Sequence, residues 1–94
     1  MATAFPSYQA ARDHSEMIRQ QGLLAAQAAY IAAGVGVSAN FNTLVAAIIA
    51  AENNHYDRLD AAAGAFGVAN SARVRGNGSA SHAQTWLSNG NNAG

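Results

Sequence analysis

The chain has 94 residues, half of them hydrophobic and only 11% charged, with no cysteine. Its five basic residues, all arginine, balance five acidic ones, so it lacks the basic stripe that neutralises nucleic-acid phosphates. Without cysteine there are no disulfides, no thiolate catalysis and no cysteine-based zinc sites, although the compartment stays undetermined.

This length gives one domain at most. Much of the apolar half is alanine, which buries little area, so a monomer would be thinly stabilised. Small soluble domains carry roughly 25–35% charged residues on their surfaces. With 11% overall, alanine-lined surface must either face water or be covered by a partner, and we read it as covered. The start, MATAFPSYQAARDHSE, has no basic segment followed by an apolar run, so it does not read as a secretory signal. Asn77-Gly78-Ser79 matches the glycosylation acceptor pattern but is read as a chance match in that context.

Residues 1–6 read as an N-terminal arm. Ser7 suits the cap of a first helix over 7–33, where it can satisfy the free N–H groups of the first turn. Met17, Leu24 and Ile31 recur every seven positions and predict the buried seam, with His14, Ile18, Gln21, Ala25, Ala28 and Ala32 beside it. Arg12, Glu16, Arg19, Gln20 and Gln27 form the solvated side, with Arg12–Glu16 and Glu16–Arg19 at pairing distance. Glu16 is thereby turned away from the seam.

Gly34-Val35-Gly36-Val37-Ser38 breaks the pattern as a loop over 34–38. Gly34 suits a left-handed helix end, and Ser38, Asn40 or Asn42 can cap the next helix. So short a connection makes the flanking helices antiparallel neighbours. The second helix is predicted over 39–66, with its continuation past Gly64 left open. Its LVAAIIAA run is apolar all round, and such a helix needs enclosure all round, more than one partner helix supplies. Rows of small residues (Ala25, Ala29, Ala33; Ala28, Ala32; Ala46, Ala50) suit close helix packing; alanine as the best helix former is the plainer alternative. Asn53, Asp57 and Asp60 read as the wet face. Residues 67–80, containing GNGS, read as a flexible joint. Ser81 and Gln84 fit a capping box opening a short helix over 81–89, which Trp86 anchors to the hairpin or to a neighbouring subunit. Residues 90–94 form a tail.

The pattern with the most chemistry is Glu52-Asn53-Asn54-His55. An E-x-x-H on a helix puts both side chains on one face, as in carboxylate-bridged di-iron sites of helical bundles. Glu52 and His55 are the candidate metal ligands, but the pair lacks a third, because Glu16 faces elsewhere. The plainer alternative is that they hydrogen-bond each other, Tyr56, Arg58 or a neighbouring subunit. Asp13-His14-Ser15 are consecutive helical residues pointing in different directions, so they form no triad. Nothing points to catalysis.

The expected fold class is all-α: an antiparallel hairpin of two long helices plus a short C-terminal helix, associating into a helical oligomer. The expected function is a non-enzymatic structural or assembly subunit without cofactor, packing with copies of itself and other structural proteins. A virion is one setting that fits an alanine-, glycine- and asparagine-rich composition. Leu44, Val45, Ile48 and Ile49 are the expected contacts, with Trp86 as anchor. Two alternatives are a ferritin-like oligomer binding metal through Glu52 and His55, and a membrane-embedded hairpin across residues 23–51. The second is disfavoured because no stretch reaches the roughly 18 uninterrupted apolar residues of a spanning helix.

Overall fold

The computed structural model describes residues 3–68 and 80–91. Three helices make up the described chain: α1 (Tyr8–Ala33), α2 (Ser38–Phe66) and α3 (Ala80–Asn89). The two long helices pack side by side as a hairpin, and α3 lies against α2. No strand occurs among the described residues, and no described helix is long and apolar enough to cross a membrane. The Asn77-Gly78-Ser79 match, most of the expected 67–80 joint and the last three residues of the tail fall outside the described residues.

Local chemistry sets the helix ends. Ser7 is extended and its hydroxyl accepts from the Ala10 N–H at 3.1 Å, filling one of the donors that a helix start leaves open. Gly34, at a φ of 127°, ends α1 while its N–H reaches the Tyr30 carbonyl. The expected caps of α2 are not used. Val37 stands at the cap position without a side-chain bond, and the Asn40 amide instead donates back to the Gly34 carbonyl at 3.0 Å. That bond ties the loop shut from the far side. Gly64 does not stop α2, which runs to Phe66 and ends on a left-handed Gly67. Ala80 is already helical, so Ser81 lies inside α3 rather than capping it.

The expected seam is the main correction. Met17, Leu24 and Ile31 lie on the outer face of α1, with Leu24 66% and Ile31 61% exposed. The residues that face α2 are small: Ala11 and Ser15 are fully buried, Gly22 sits opposite Ala51, and Ala26, Ala29 and Ala33 line the crevice shared with Leu44 and Ala47. Their spacing repeats every three or four residues, as one helix face requires. Of the anticipated alanine rows, Ala29 and Ala33 lie at this crevice, whereas Ala25, Ala28, Ala32, Ala46 and Ala50 are on the exposed side.

The core lies at one end of the molecule. Ala11, Ala62, Trp86 and Leu87 are buried together, with Phe5, Tyr8, Ile18, Ala61 and Phe66 packed around them. Trp86 has no exposed surface, so it anchors α3 within its own chain and leaves nothing for another subunit. Its ring lies 4.7 Å from Phe5, and the Ala4 N–H donates to the Leu87 carbonyl at 3.0 Å. The N-terminal arm is thus fastened to the C-terminal helix. Asp57, expected on the wet face, is buried; it stands one turn before Ala61 on the side of α2 that α3 covers.

Candidate functional site

Two features stand out, a polar cluster midway along the hairpin and an apolar face beyond it. The cluster starts from residues that share one side of each helix. On α1, Glu16 and Arg19 are one turn apart. The Arg19 guanidinium grips Glu16 through Nε at 2.9 Å and Nη2 at 2.6 Å, while Nη1 reaches Glu52 of α2 at 2.8 Å. Gln20 adds a further bond to Glu16 at 2.9 Å. Glu16 is therefore turned toward α2, not away from it, and its Oε1 lies 3.6 Å from His55 Nε2. The expected Arg12–Glu16 pair does not form, because Arg12 lies by Asp13 at 3.6 Å.

Behind this layer, on the seam, Ser15 joins both helices. Its hydroxyl lies 2.9 Å from His55 Nδ1 and accepts from Arg58 Nε at 2.7 Å; Arg58 Nη2 donates to the Ser15 carbonyl at 3.2 Å. A guanidinium only donates, so the Ser15 hydroxyl oxygen accepts from Arg58, and the direction of its bond with His55 Nδ1 follows the imidazole tautomer.

The electrostatics follow from these contacts. Hydrogen bonds from Arg19 and then Gln20 hold the Glu16 carboxyl down at about 2. The same Glu16 contact raises the Arg19 guanidinium. Burial, more than any charge, lowers His55, with Arg58 and Arg19 adding to the effect and Glu16 opposing it. Burial also brings Arg58 down to about 10, still charged at neutral pH, and Asp57 partly compensates it.

The third ligand missing from the sequence-based metal reading, Glu16, is thus present beside Glu52 and His55. Arg19, however, occupies the place between the two carboxylates that a cation would take. Among the described residues, no group of three or more His, Asp or Glu is arranged to hold a metal ion. The charge that a metal would supply is built into the chain. Ser15 is fully buried, so its contacts with His55 and Arg58 lie inside the seam and tie the two helices together.

The apolar face lies toward the loop. Phe41, Val45, Ile48 and Ile49 form one stripe on α2, all partly exposed, with Phe41 at 52% and Ile49 at 45%. Leu23 and Gln27 of α1 border a groove with Leu44, Ile48 and Glu52, which brings the expected contacts Leu44 and Ile48 together with the polar cluster. Among the described residues, none between Glu16 and Asn54 is buried. The inter-helix crevice at this end is about 160 Å³ and lined by alanines, Tyr30, Asn40, Thr43 and Leu44.

Comparison with protein-family models, curated proteins and solved structures finds no match of any of the three kinds. Any functional reading of this chain rests on its own geometry.

Proposed function

We propose that this chain is a non-enzymatic assembly subunit whose loop-end hairpin face packs against the same face of a second copy. One observation carries the reading: from Glu16 to Asn54 no residue is buried, although the stretch holds Leu24, Ile31, Phe41, Val45, Ile48 and Ile49. Large exposed apolar patches on small proteins mark interaction surfaces. A pair of helices closes its core when a second pair covers it, which is the logic of the four-helix bundle.

The dimensions support a second copy as the occupant. The part of α2 from Ser38 to Asn54 is about 25 Å long at 1.5 Å per residue, and two helices side by side are about 20 Å wide. That face presents about 500 Å² in projection and more as accessible surface, of the order of the roughly 800 Å² per partner in stable complexes. Its centre is uncharged, so identical faces meet without repulsion. The Glu16–Arg19–Glu52 cluster forms a polar rim where charge is best tolerated.

Light scattering on a size-exclusion column tests the reading. Wild type should elute at a multiple of 9.6 kDa, with or without a chelator. The double substitution Ile48→Glu and Ile49→Glu should return it to a single chain. A wild-type monomer at tens of micromolar would refute the proposal. An assembly that dissociates only on chelation would instead return Glu52 and His55 to the centre as metal ligands.

A further inference from the structure

α3 is held by contacts with the arm and hairpin, and one of those contacts depends on protonation. The Trp86 indole Nε1–H donates to His14 Nδ1 at 2.8 Å. An indole nitrogen donates and never accepts, so Nδ1 must be the lone-pair nitrogen of a neutral imidazole. Protonating His14 places two N–H groups face to face at that distance. Phe5 completes the arrangement, with its ring 5.2 Å from His14 and 4.7 Å from Trp86. The arm, α1 and α3 therefore meet at this one side chain.

We infer that the arm and α3 form a clasp that His14 holds shut in neutral solution and releases when it takes up a proton. Around His14, the arm contributes Phe5 and α3 contributes Trp86, neither of which titrates near neutrality. The charged residues next to it on α1, Arg12 and Asp13, are exposed and lie 3.6 Å apart. From α2, Arg58 reaches the following residue, Ser15. The titratable residue of α3 itself is His82, exposed one turn before Trp86.

The hairpin has a separate fastening in Ser15, His55 and Arg58. Burial keeps His55 neutral into more acidic solution than an exposed imidazole. Mild acid should therefore lift α3 while leaving α1 on α2. Opening uncovers Ala11, Ala62 and the Phe66 ring, which now pack with Trp86 and Leu87 of α3. The clasp stands independently of the assembly reading.

Trp86 is the sole tryptophan, so its emission maximum reports the clasp directly. Lowering the pH through the range in which the His14 ring resonances move should shift emission to the red while far-ultraviolet circular dichroism keeps its helical signal. His14→Asn offers an acceptor oxygen at the same branch point that does not protonate in this range, and should abolish the shift; His82→Asn should leave it intact. In wild type, the Trp86 indole proton resonance should move with the same midpoint as the His14 ring resonances, a readout that needs no variant to fold. The inference is overturned if emission does not move or if it moves together with loss of helix. It is also overturned if the shift survives in His14→Asn, or if the indole proton ignores the His14 titration. Native mass at pH 7.5, measured separately, decides the assembly reading whatever the clasp does.

Discussion

The two ends of this hairpin are built on opposite terms. At the end covered by α3, a tryptophan, a leucine and alanines close a core, and even charged groups are enclosed: Arg58 and Asp57 are both 1% exposed. At the loop end the same two helices run on for several turns without burying a single residue among those described. Helix formation is equally secure at both ends, because alanine-rich sequence favours it locally. Two parallel cylinders touch along one line, however, and a third body is needed to close a core. α3 is that body at one end, and the other end has none among the described residues.

The largest effect should come from removing the cover. Trp86→Ala empties the core of its biggest side chain and should cost about 3–5 kcal/mol, read from denaturant midpoints at protein concentrations low enough to keep the chain monomeric. Leu24→Ala under those conditions should cost under about 0.5 kcal/mol. Equal costs would erase the difference between the ends. Next comes the Ile48→Glu, Ile49→Glu double substitution, which should abolish association yet change monomer stability by less than about 1 kcal/mol. A strongly destabilised monomer would mean that these residues serve the chain's own core.

Between these lies the polar fastening. Ser15→Ala removes the hydroxyl partner of both Arg58 Nε–H and His55 Nδ1, and should cost about 1–3 kcal/mol. A null result would show that water enters the seam. Acid should weaken the same region in two steps. Folded His55 holds its proton less readily than in the unfolded chain. The unfolded state therefore binds more protons as pH falls below 6.5, and stability declines in that direction. Glu16 behaves likewise from 4.5 down to about 2, an effect softened because its side chain is 38% exposed. Melting temperatures against pH, taken in a His14→Asn background so that the clasp does not contribute, should lose the upper step in His55→Gln and keep the lower one.

The smallest change should be a gain. A methyl group added at Gly22 would meet the Ala51 side chain at 3.5 Å, an ordinary contact, and alanine favours a helix over glycine by about 0.8–1 kcal/mol. Gly22→Ala should therefore stabilise the chain by somewhat under 1 kcal/mol. A loss would show that the helices approach more closely here than at the rest of the seam.

That last site also shows what the sequence could and could not say. The breaks were legible because they rest on local chemistry: Ser7 before a helical run, glycines at 34 and 36, and a short connection that leaves antiparallel packing as the natural outcome. The facing of α1 was not. Assigning Met17, Leu24 and Ile31 to the interior assumes that large apolar residues point inward, which holds when a chain fills its own core. Here the inward row is Ala11, Ser15, Ile18, Gly22 and Ala26, a stripe free of charge whose small residues let the helices meet. Rotating α1 to that stripe swings Glu16 toward Glu52 and His55, so one error in facing also hid the polar cluster. Arg19 looked like half of a surface pair because its second partner, Glu52, is 33 positions away. The burial of Asp57 depends on where α3 lands, which no local pattern encodes.

The bond from Ala4 to Leu87, and the tight fit of Ala4 against Gly90 (a side chain there would come within 2.9 Å), place the first and last described segments at one pole and the Gly34–Val37 loop at the other. Chain continuing beyond Thr3 and Asn91 sets out from this pole, beside α3 and at the far end from the loop. A circular permutant joining the two termini with a short linker and opening at Val35 would keep every helix whole. It would also move both free ends to the loop pole, so any cargo attached there would crowd the apolar face that the natural chain order leaves open.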